Sequence, residues 1–170
     1  MSIGISEEHV ELAASLRRWA ASVDGRAAAR AVEHDRAARF DEVWKATVEM
    51  GLPAIGLPES AGGGGGSLLD AAVALEACAH ELLPGPLLAA TIGAALLGDT
   101  PFAERLASGV RLGIGLEPSL RVDGERLAGA VDVVWDAPGA ELLLLGARDA
   151  GAERWFVVPA ERAVVTPHPV

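Results

Sequence analysis

The chain has 170 residues, with 14 Lys and Arg against 24 Asp and Glu, and a formal net charge of −10. Apolar residues make up 51% and charged residues 22%, which is a globular composition and not a disordered one. The acidic balance and the single lysine, Lys45, argue against a partner such as nucleic acid or an anionic membrane surface, because both need clustered cations.

Cysteine and histidine usage restricts the chemistry further. One cysteine, Cys78, excludes an intramolecular disulfide and a cysteine-rich zinc site. The histidines show no ligand spacing, so no metal site is predicted; they are His9, His34, His80 and His168. The N-terminus lacks signal-peptide features, and no uncharged run is long enough to cross a bilayer. These features predict a soluble, reduced protein in the cytoplasm.

Residues 1–108 are predicted to form an all-α domain. Ser6 is a suitable N-cap, and apolar residues recur on one helical face through residues 12–23. Residues 26–39 are predicted to be helical with a weaker apolar stripe. Asp41 is expected to cap the next helix, which ends at Gly51.

The glycine run at residues 62–66 is predicted to be a connector without a ligand. It lies between the apolar stretch 54–57 and a helix, an order in which phosphates can be held. A P-loop, however, needs a lysine before its hydroxyl residue, and here a glycine precedes Ser67. Ser67 and Asp70 match a capping box for a helix that runs to about residue 83.

A further helix without charges is expected at residues 87–97, and a short one from Thr100 to Gly109. After Gly109 the apolar period changes from 3.6 to 2, which indicates strands. They are predicted at residues 110–116, 120–122, 126–128, 131–135, 142–145 and 155–158, with a turn at residues 117–119. Because the connections are short, residues 109–170 are predicted to form a partial antiparallel β-domain, and the fold class is α+β.

Few residues suggest catalysis. Glu76 and His80 lie four residues apart on one predicted helix, with Glu81 adjacent, so a carboxylate–imidazole pair could form. A solvated helix face is the alternative interpretation. Cys78 lies between alanines and is predicted to be a small core residue. The tryptophans are expected to be core or interface anchors; they are Trp19, Trp44, Trp135 and Trp155.

Five stretches, in order, resemble the acyl-CoA dehydrogenase family. Residues 40–52 resemble the helix before its G-L turn, and residues 56–63 resemble its V-P-E-x-x-G-G-x-G loop. Residues 76–97 resemble the next helix pair, in the version found in bacterial dehydrogenases with dissimilar subunits. Residues 127–145 resemble L-x-G-x-K-x-W-I-T-x-x-x-x-A-D-x-x-L-V, and residues 155–159 resemble a strand that ends in V-P.

The resemblance implies N-terminal helices, a middle β-domain and a C-terminal four-helix bundle, with FAD between the β-domain of one subunit and the bundle of its neighbour. It also implies FAD-dependent α,β-desaturation of an acyl-CoA thioester, in fatty-acid or steroid side-chain β-oxidation. A glutamate base takes the α-proton, and the β-hydrogen leaves as a hydride to the flavin. That base lies in the part of the family beyond Val170, so no catalytic residue is predicted here.

The positions that match the family's flavin motifs are degenerate. Glu117 and Pro118 match part of T-E-P-G-A-G-S-D, while Val133, Val134 and Trp135 replace W-I-T. These five are the predicted cofactor-binding positions. An indole, with one fixed donor, stands where the family has a threonine hydroxyl. We therefore expect FAD to be held in an assembled complex and not by this chain alone.

Three hypotheses follow. The chain is the N-terminal portion, or the non-catalytic partner subunit, of an acyl-CoA dehydrogenase; its partner is then another dehydrogenase subunit or its own C-terminal domain, with acyl-CoA as substrate of the complex. Alternatively, it is a catalytically silent assembly subunit that binds a flavin-competent dehydrogenase. The third hypothesis is an unrelated helical bundle with a sheet. We also expect partly bare strands, at residues 131–135 and 142–145, to make the surface prone to association.

Overall fold

The computed structural model describes residues 4–34 and 38–166, except for the side chains of residues 32–34 and 38–39. The side chain of His34 and the whole of His168 therefore lie outside the described residues. The chain divides into two compact units, within residues 1–109 and residues 110–170.

The first unit is helical. Its helices are α1 (Glu7–Ser22), α2 (Gly25–His34), α3 (Ala38–Glu49), α4 (Leu68–His80), α5 (Leu87–Leu97) and α6 (Ala103–Ala107), and short 3-10 turns lie at Leu52–Ala54 and Glu59–Ala61. The predicted caps at Ser6 and at Ser67 with Asp70 are confirmed, because both helices begin with complete capping boxes. The expected cap at Asp41 is wrong. Helix α3 begins at Ala38, which places Asp41 in the first turn, where a carboxylate favours the positive end of the helix dipole.

Helices α1 and α4 are joined by two polar contacts. His9 Nε2 lies 3.1 Å from Asp70 Oδ1 at their N-terminal ends. Further towards the C-terminal ends of both helices, Arg17 Nη2 donates to both carboxylate oxygens of Glu76, at 3.0 and 2.9 Å. The two helices therefore run in the same direction. A buried apolar cluster lies in this unit, formed by Leu16, Leu52, Ala74, Ala77, Cys78 and Leu87.

The second unit contains one mixed sheet. Its strands are β1 (Leu112–Asp123), β2 (Arg126–Ala128), β3 (Leu142–Asp149) and β4 (Ala152–Pro159), in the order β2-β1-β3-β4. The α+β class is confirmed, but the purely antiparallel arrangement is wrong, because β1 and β3 are parallel. The 18 residues or so between these strands are enough for a crossover, and β2 occupies only the first few of them.

Two details of the strand prediction are also wrong. Residues 117–119 form no turn, because β1 continues through them with an irregularity in which residues 116–119 lie opposite Gly146. A Cβ on Gly146 would lie 2.9 Å from Pro118 Cα, so the absence of a side chain there makes room for the bulge. Residues 131–135 form no strand and make a single isolated bridge, between Trp135 and Ile114.

The two faces of the sheet differ. One face packs a cluster that includes Leu120, Leu143, Leu145 and Ala147, covered by residues of the segment between β2 and β3. On the other face Leu112, Ile114, Leu142 and Leu144 are buried. Residues 142–145 are each 6% exposed or less, so the expectation that they are partly bare is wrong. No helix in the described ranges is long and apolar enough to span a membrane.

Candidate functional site

The structure brings together the two stretches that match the flavin motifs. The backbone N–H of Trp135 donates to Ile114 O, and the N–H of Ile114 donates to Trp135 O, both at 2.9 Å. One residue further along β1, a Cβ on Gly115 would lie 3.5 Å from Val134 Cγ2. Residues 133–135 therefore run beside the part of β1 that immediately precedes Glu117 and Pro118.

The side chains in this region are apolar and largely exposed. Leu116 is 47% exposed, Val133 59% and Trp135 44%. Val134 points the other way and packs on the buried cluster of the sheet. Pro118 lies in the bulge of β1 and occupies the space beside Gly146 where a side chain would otherwise lie. Of the predicted positions only Glu117 carries an ionisable side chain, and it is exposed.

The side chains at these positions do not fit a flavin. A flavin edge needs hydrogen-bond donors, and the valine side chains have none. The backbone N–H of Trp135 is already paired with Ile114, and the nearby hydroxyl of Ser119 donates to Ala130 O at 3.1 Å. The indole N–H of Trp135 is the side-chain donor that remains among residues 116–119 and 133–135.

The glycine run is a compact loop whose amides are already used. The N–H groups of residues 62–66 donate to carbonyls of residues 54–59, at 2.8 to 3.0 Å. A phosphate site at a glycine loop depends on amides that point at the ligand, and these point into the loop itself. A phosphate-binding glycine loop also follows a strand. Residues 54–57 form no strand here; they belong to a 3-10 turn and tight turns.

The carboxylate–imidazole pair considered between Glu76 and His80 is not formed. Glu76 accepts hydrogen bonds from Arg17, and His80 Nδ1 lies 3.0 Å from Glu81 Oε1. Glu81 also lies 3.2 Å from Arg26 Nη2. The hydrogen bond from His80, followed by the charge of Arg26, holds the pKa of Glu81 below its usual range. These groups therefore link helices and do not converge on a cavity.

Cys78 is a buried core residue, as predicted. Its burial raises the pKa of the thiol to about 11, so it is a poor nucleophile near neutral pH. The described residues contain no group of three side chains suited to hold a metal ion.

The tryptophans divide into two pairs. Trp19 packs against the helical core, and the Trp44 indole N–H donates to Gly109 O at 3.0 Å. Trp135 and Trp155 are instead 44% and 46% exposed. Sequence reasoning did not place these two on one face of the sheet. That placement follows from the Ile114–Trp135 bridge together with the registers of β1 with β3 and of β3 with β4.

Comparison with known proteins identifies the family. Residues 6–100 match the family described as acyl-CoA dehydrogenase, N-terminal domain. The chain is 29% identical to acyl-CoA dehydrogenase FadE34 of Mycobacterium tuberculosis over 152 residues, which cover 82% of this chain and 21% of that protein. The chain thus spans less than half the length of the curated relatives that it matches.

Solved structures share the fold. The chain superposes on the Tcur3481–Tcur3483 steroid acyl-CoA dehydrogenase with a TM-score of 0.75 and 31% identity, over 91% of this chain and 48% of that one. The ChsE4–ChsE5 complex from Mycobacterium tuberculosis gives a TM-score of 0.77 at 23% identity, over 94% and 49%. By sequence and by fold, this chain belongs to the acyl-CoA dehydrogenase family.

Proposed function

We propose that this chain is the non-catalytic subunit of a heteromeric acyl-CoA dehydrogenase. In this proposal the complex oxidises an acyl-CoA thioester in fatty-acid or steroid side-chain β-oxidation, and the partner subunit supplies the catalytic base. The family membership supports the reaction class. The names of the similar solved structures, a ChsE4–ChsE5 complex and a Tcur3481–Tcur3483 steroid dehydrogenase, support a heteromer and a steroid substrate.

One observation carries the silent role. At the positions that match the flavin motifs, Val133 and Trp135 present apolar surface, and the Trp135 backbone N–H is bonded within the chain. A site that must hold a polar ring edge needs preorganised donors. FAD in the complex is therefore assigned to the partner subunit.

The alternative is a purely structural subunit that binds a flavin-competent dehydrogenase without contributing to its substrate site. Glu117 and Pro118 distinguish the two roles, since the family motif that they match in part lies beside CoA. If the chain forms a wall of the substrate site, substitution of Glu117 by Gln changes KM for acyl-CoA in the complex. If the role is only assembly, KM is unchanged.

The test is purification of this chain alone and together with a dehydrogenase partner. The proposal predicts that the chain alone is colourless and does not reduce a dye with acyl-CoA. The complex is expected to be yellow and to reduce the dye. A yellow, active chain in isolation would contradict the proposal.

A further inference from the structure

A hydroxyl, an imidazole and a carboxylate form a continuous chain of hydrogen bonds where α1 and α4 begin. The hydroxyl oxygen of Ser6 lies 2.7 Å from His9 Nδ1, and His9 Nε2 lies 3.1 Å from Asp70 Oδ1. Asp70 Oδ2 accepts in turn from the N–H and the hydroxyl of Ser67, both at 2.7 Å. Ser6 and His9 are three residues apart, but Asp70 comes from a separate helix, so the fold is what joins the three groups.

The hydrogen bonds fix the protonation of the His9 ring. The backbone N–H of Ser6 donates to Nδ1 at 3.0 Å, so this nitrogen carries a lone pair. The hydroxyl of Ser6 therefore also donates to Nδ1, and Nε2 carries the ring hydrogen and donates it to Asp70. This is the arrangement of a nucleophile, its general base and a carboxylate that orients the base. The two ring nitrogens exchange the roles they have in serine proteases, which leaves the direction of proton transfer unchanged.

The cluster is open on the side of the hydroxyl. Ser6 is exposed, whereas the side chains of His9 and Asp70 are 16% and 34% exposed. The first N–H groups of a helix have no carbonyl partner within it and point out of its N-terminal end, so those of Glu7 and Glu8 are directed towards Ser6. An oxyanion formed beside Ser6 would therefore meet backbone donors and the positive end of the helix dipole.

The surroundings of the cluster define the class of substrate. Three large apolar side chains that neighbour the cluster in sequence are 58 to 65% exposed: Ile5, Val10 and Leu68. Apolar surface beside a nucleophile suits an apolar acyl group. The exposed carboxylates of Glu7 and Glu8 directly follow Ser6, and they repel an anionic leaving group. An uncharged carboxylic ester therefore fits this environment better than a CoA thioester, whose leaving group carries phosphates.

We propose that Ser6, His9 and Asp70 hydrolyse uncharged carboxylic esters through an acyl group carried on Ser6. The Ser6 oxygen bonds to the ester carbonyl carbon while its proton passes to His9 Nδ1. The bond to the leaving oxygen then breaks, and that oxygen takes the proton. Water repeats the two steps on the acyl-serine, which releases the carboxylic acid and returns a proton to Ser6. Asp70 acts through His9 and is a positioning residue. The activity is separate from the dehydrogenase role proposed above, because it needs neither a flavin nor a partner.

The test is hydrolysis of p-nitrophenyl butyrate by the purified full chain, with mass spectrometry of the acid-quenched reaction. The spectrum should show one butyryl group, on Ser6. Ser6→Asn keeps a residue type that caps helices well but removes the nucleophile, and it should lower kcat at least about a hundredfold. Asp70→Asn keeps the shape but removes the charge that orients His9. It should lower kcat about tenfold or more and leave KM unchanged, whereas a merely structural role would not separate the two.

The matched control is His80→Ala. His80 also lies 3.0 Å from a carboxylate, that of Glu81, but it is at the other end of α4, so this variant should keep kcat within about twofold of the wild type. Circular dichroism checks that the variants fold, and Ser6→Asn decides if Asp70→Asn does not.

Three outcomes would overturn the inference, and none of them bears on the dehydrogenase role. If the wild type hydrolyses the ester no faster than free imidazole at the same concentration, the cluster has no esterase activity. If Ser6→Asn keeps the activity while His9→Gln loses it, the imidazole acts without the serine. If butyryl-CoA is hydrolysed faster than the uncharged ester, the substrate class is wrong.

Discussion

Substitution of Gly63 by Ala should destabilise the helical unit severely. A Cβ at this position would lie 2.2 Å from the carbonyl oxygen of Leu57 and 2.5 Å from its carbonyl carbon. These are backbone atoms, and Leu57 is fully buried, so the obstacle cannot rotate away. The loop must open by more than an ångström to admit the methyl group.

The magnitude follows from what that opening breaks. The N–H groups of Gly64, Gly65 and Gly66 donate to Ala54, Leu57 and Ile55, at 2.8 to 2.9 Å. Overpacking alone costs about 1–3 kcal/mol, and each lost hydrogen bond adds about 1 kcal/mol. We expect a loss of about 4–6 kcal/mol, which is a large part of the ~5–15 kcal/mol that stabilises a typical domain.

The assay is urea unfolding followed by circular dichroism of the helices, with Gly64→Ala as the matched control. At Gly64 the nearest atom to a new Cβ is Ile55 O at 3.4 Å, which is an ordinary contact. The control should therefore be neutral or stabilised by about 0.4–1 kcal/mol, through the lower entropy of the unfolded chain. Equal unfolding midpoints for the two variants would refute the steric reasoning.

Further predictions concern single contacts. Cys78 should resist alkylation at pH values well below its pKa of about 11 in the folded chain and react in urea; rapid labelling of the folded protein would contradict its burial. Trp44→Phe should cost about 1 kcal/mol in urea unfolding, through loss of the indole hydrogen bond to Gly109; an unchanged midpoint would show that the bond contributes nothing. Hydrogen bonds from Ser67 hold the pKa of Asp70 below 3.8, so the stability that Asp70 contributes is present above that pH and is lost as the pH falls through its lower folded value. The difference in melting temperature between Asp70→Ala and the wild type should therefore shrink in acid, and a constant difference would contradict this.

The helical unit was largely predictable because its signals are local. Ser6 and the Ser67–Asp70 pair fix helix starts by hydrogen bonds within four residues, which a sequence displays directly. The start of α3 was missed because Asp41 is as favourable in the first turn as at the cap. The packing of the glycine run on residues 54–59 also has no local signal, since glycine reports only that a side chain is absent.

The sheet was less predictable because its pairing is nonlocal. Short apolar runs located β3 and β4, but nothing in the sequence of residues 124–141 states that the chain crosses over and makes β3 parallel to β1. The turn expected at residues 117–119 was replaced by a bulge that depends on Gly146, about 30 residues away. The site residues were located by resemblance to a family, whereas their exposure and the shared face of Trp135 and Trp155 required the register.

The most direct measurement is a titration of the purified, isolated chain with FAD, followed by quenching of flavin fluorescence. Val133 and Trp135 present apolar side chains with one indole donor between them, so the account predicts no saturable binding. A dehydrogenase chain that binds FAD serves as the positive control. Saturable one-to-one binding that is lost in Trp135→Lys would show that these residues form a flavin site, and the silent-subunit account would be wrong.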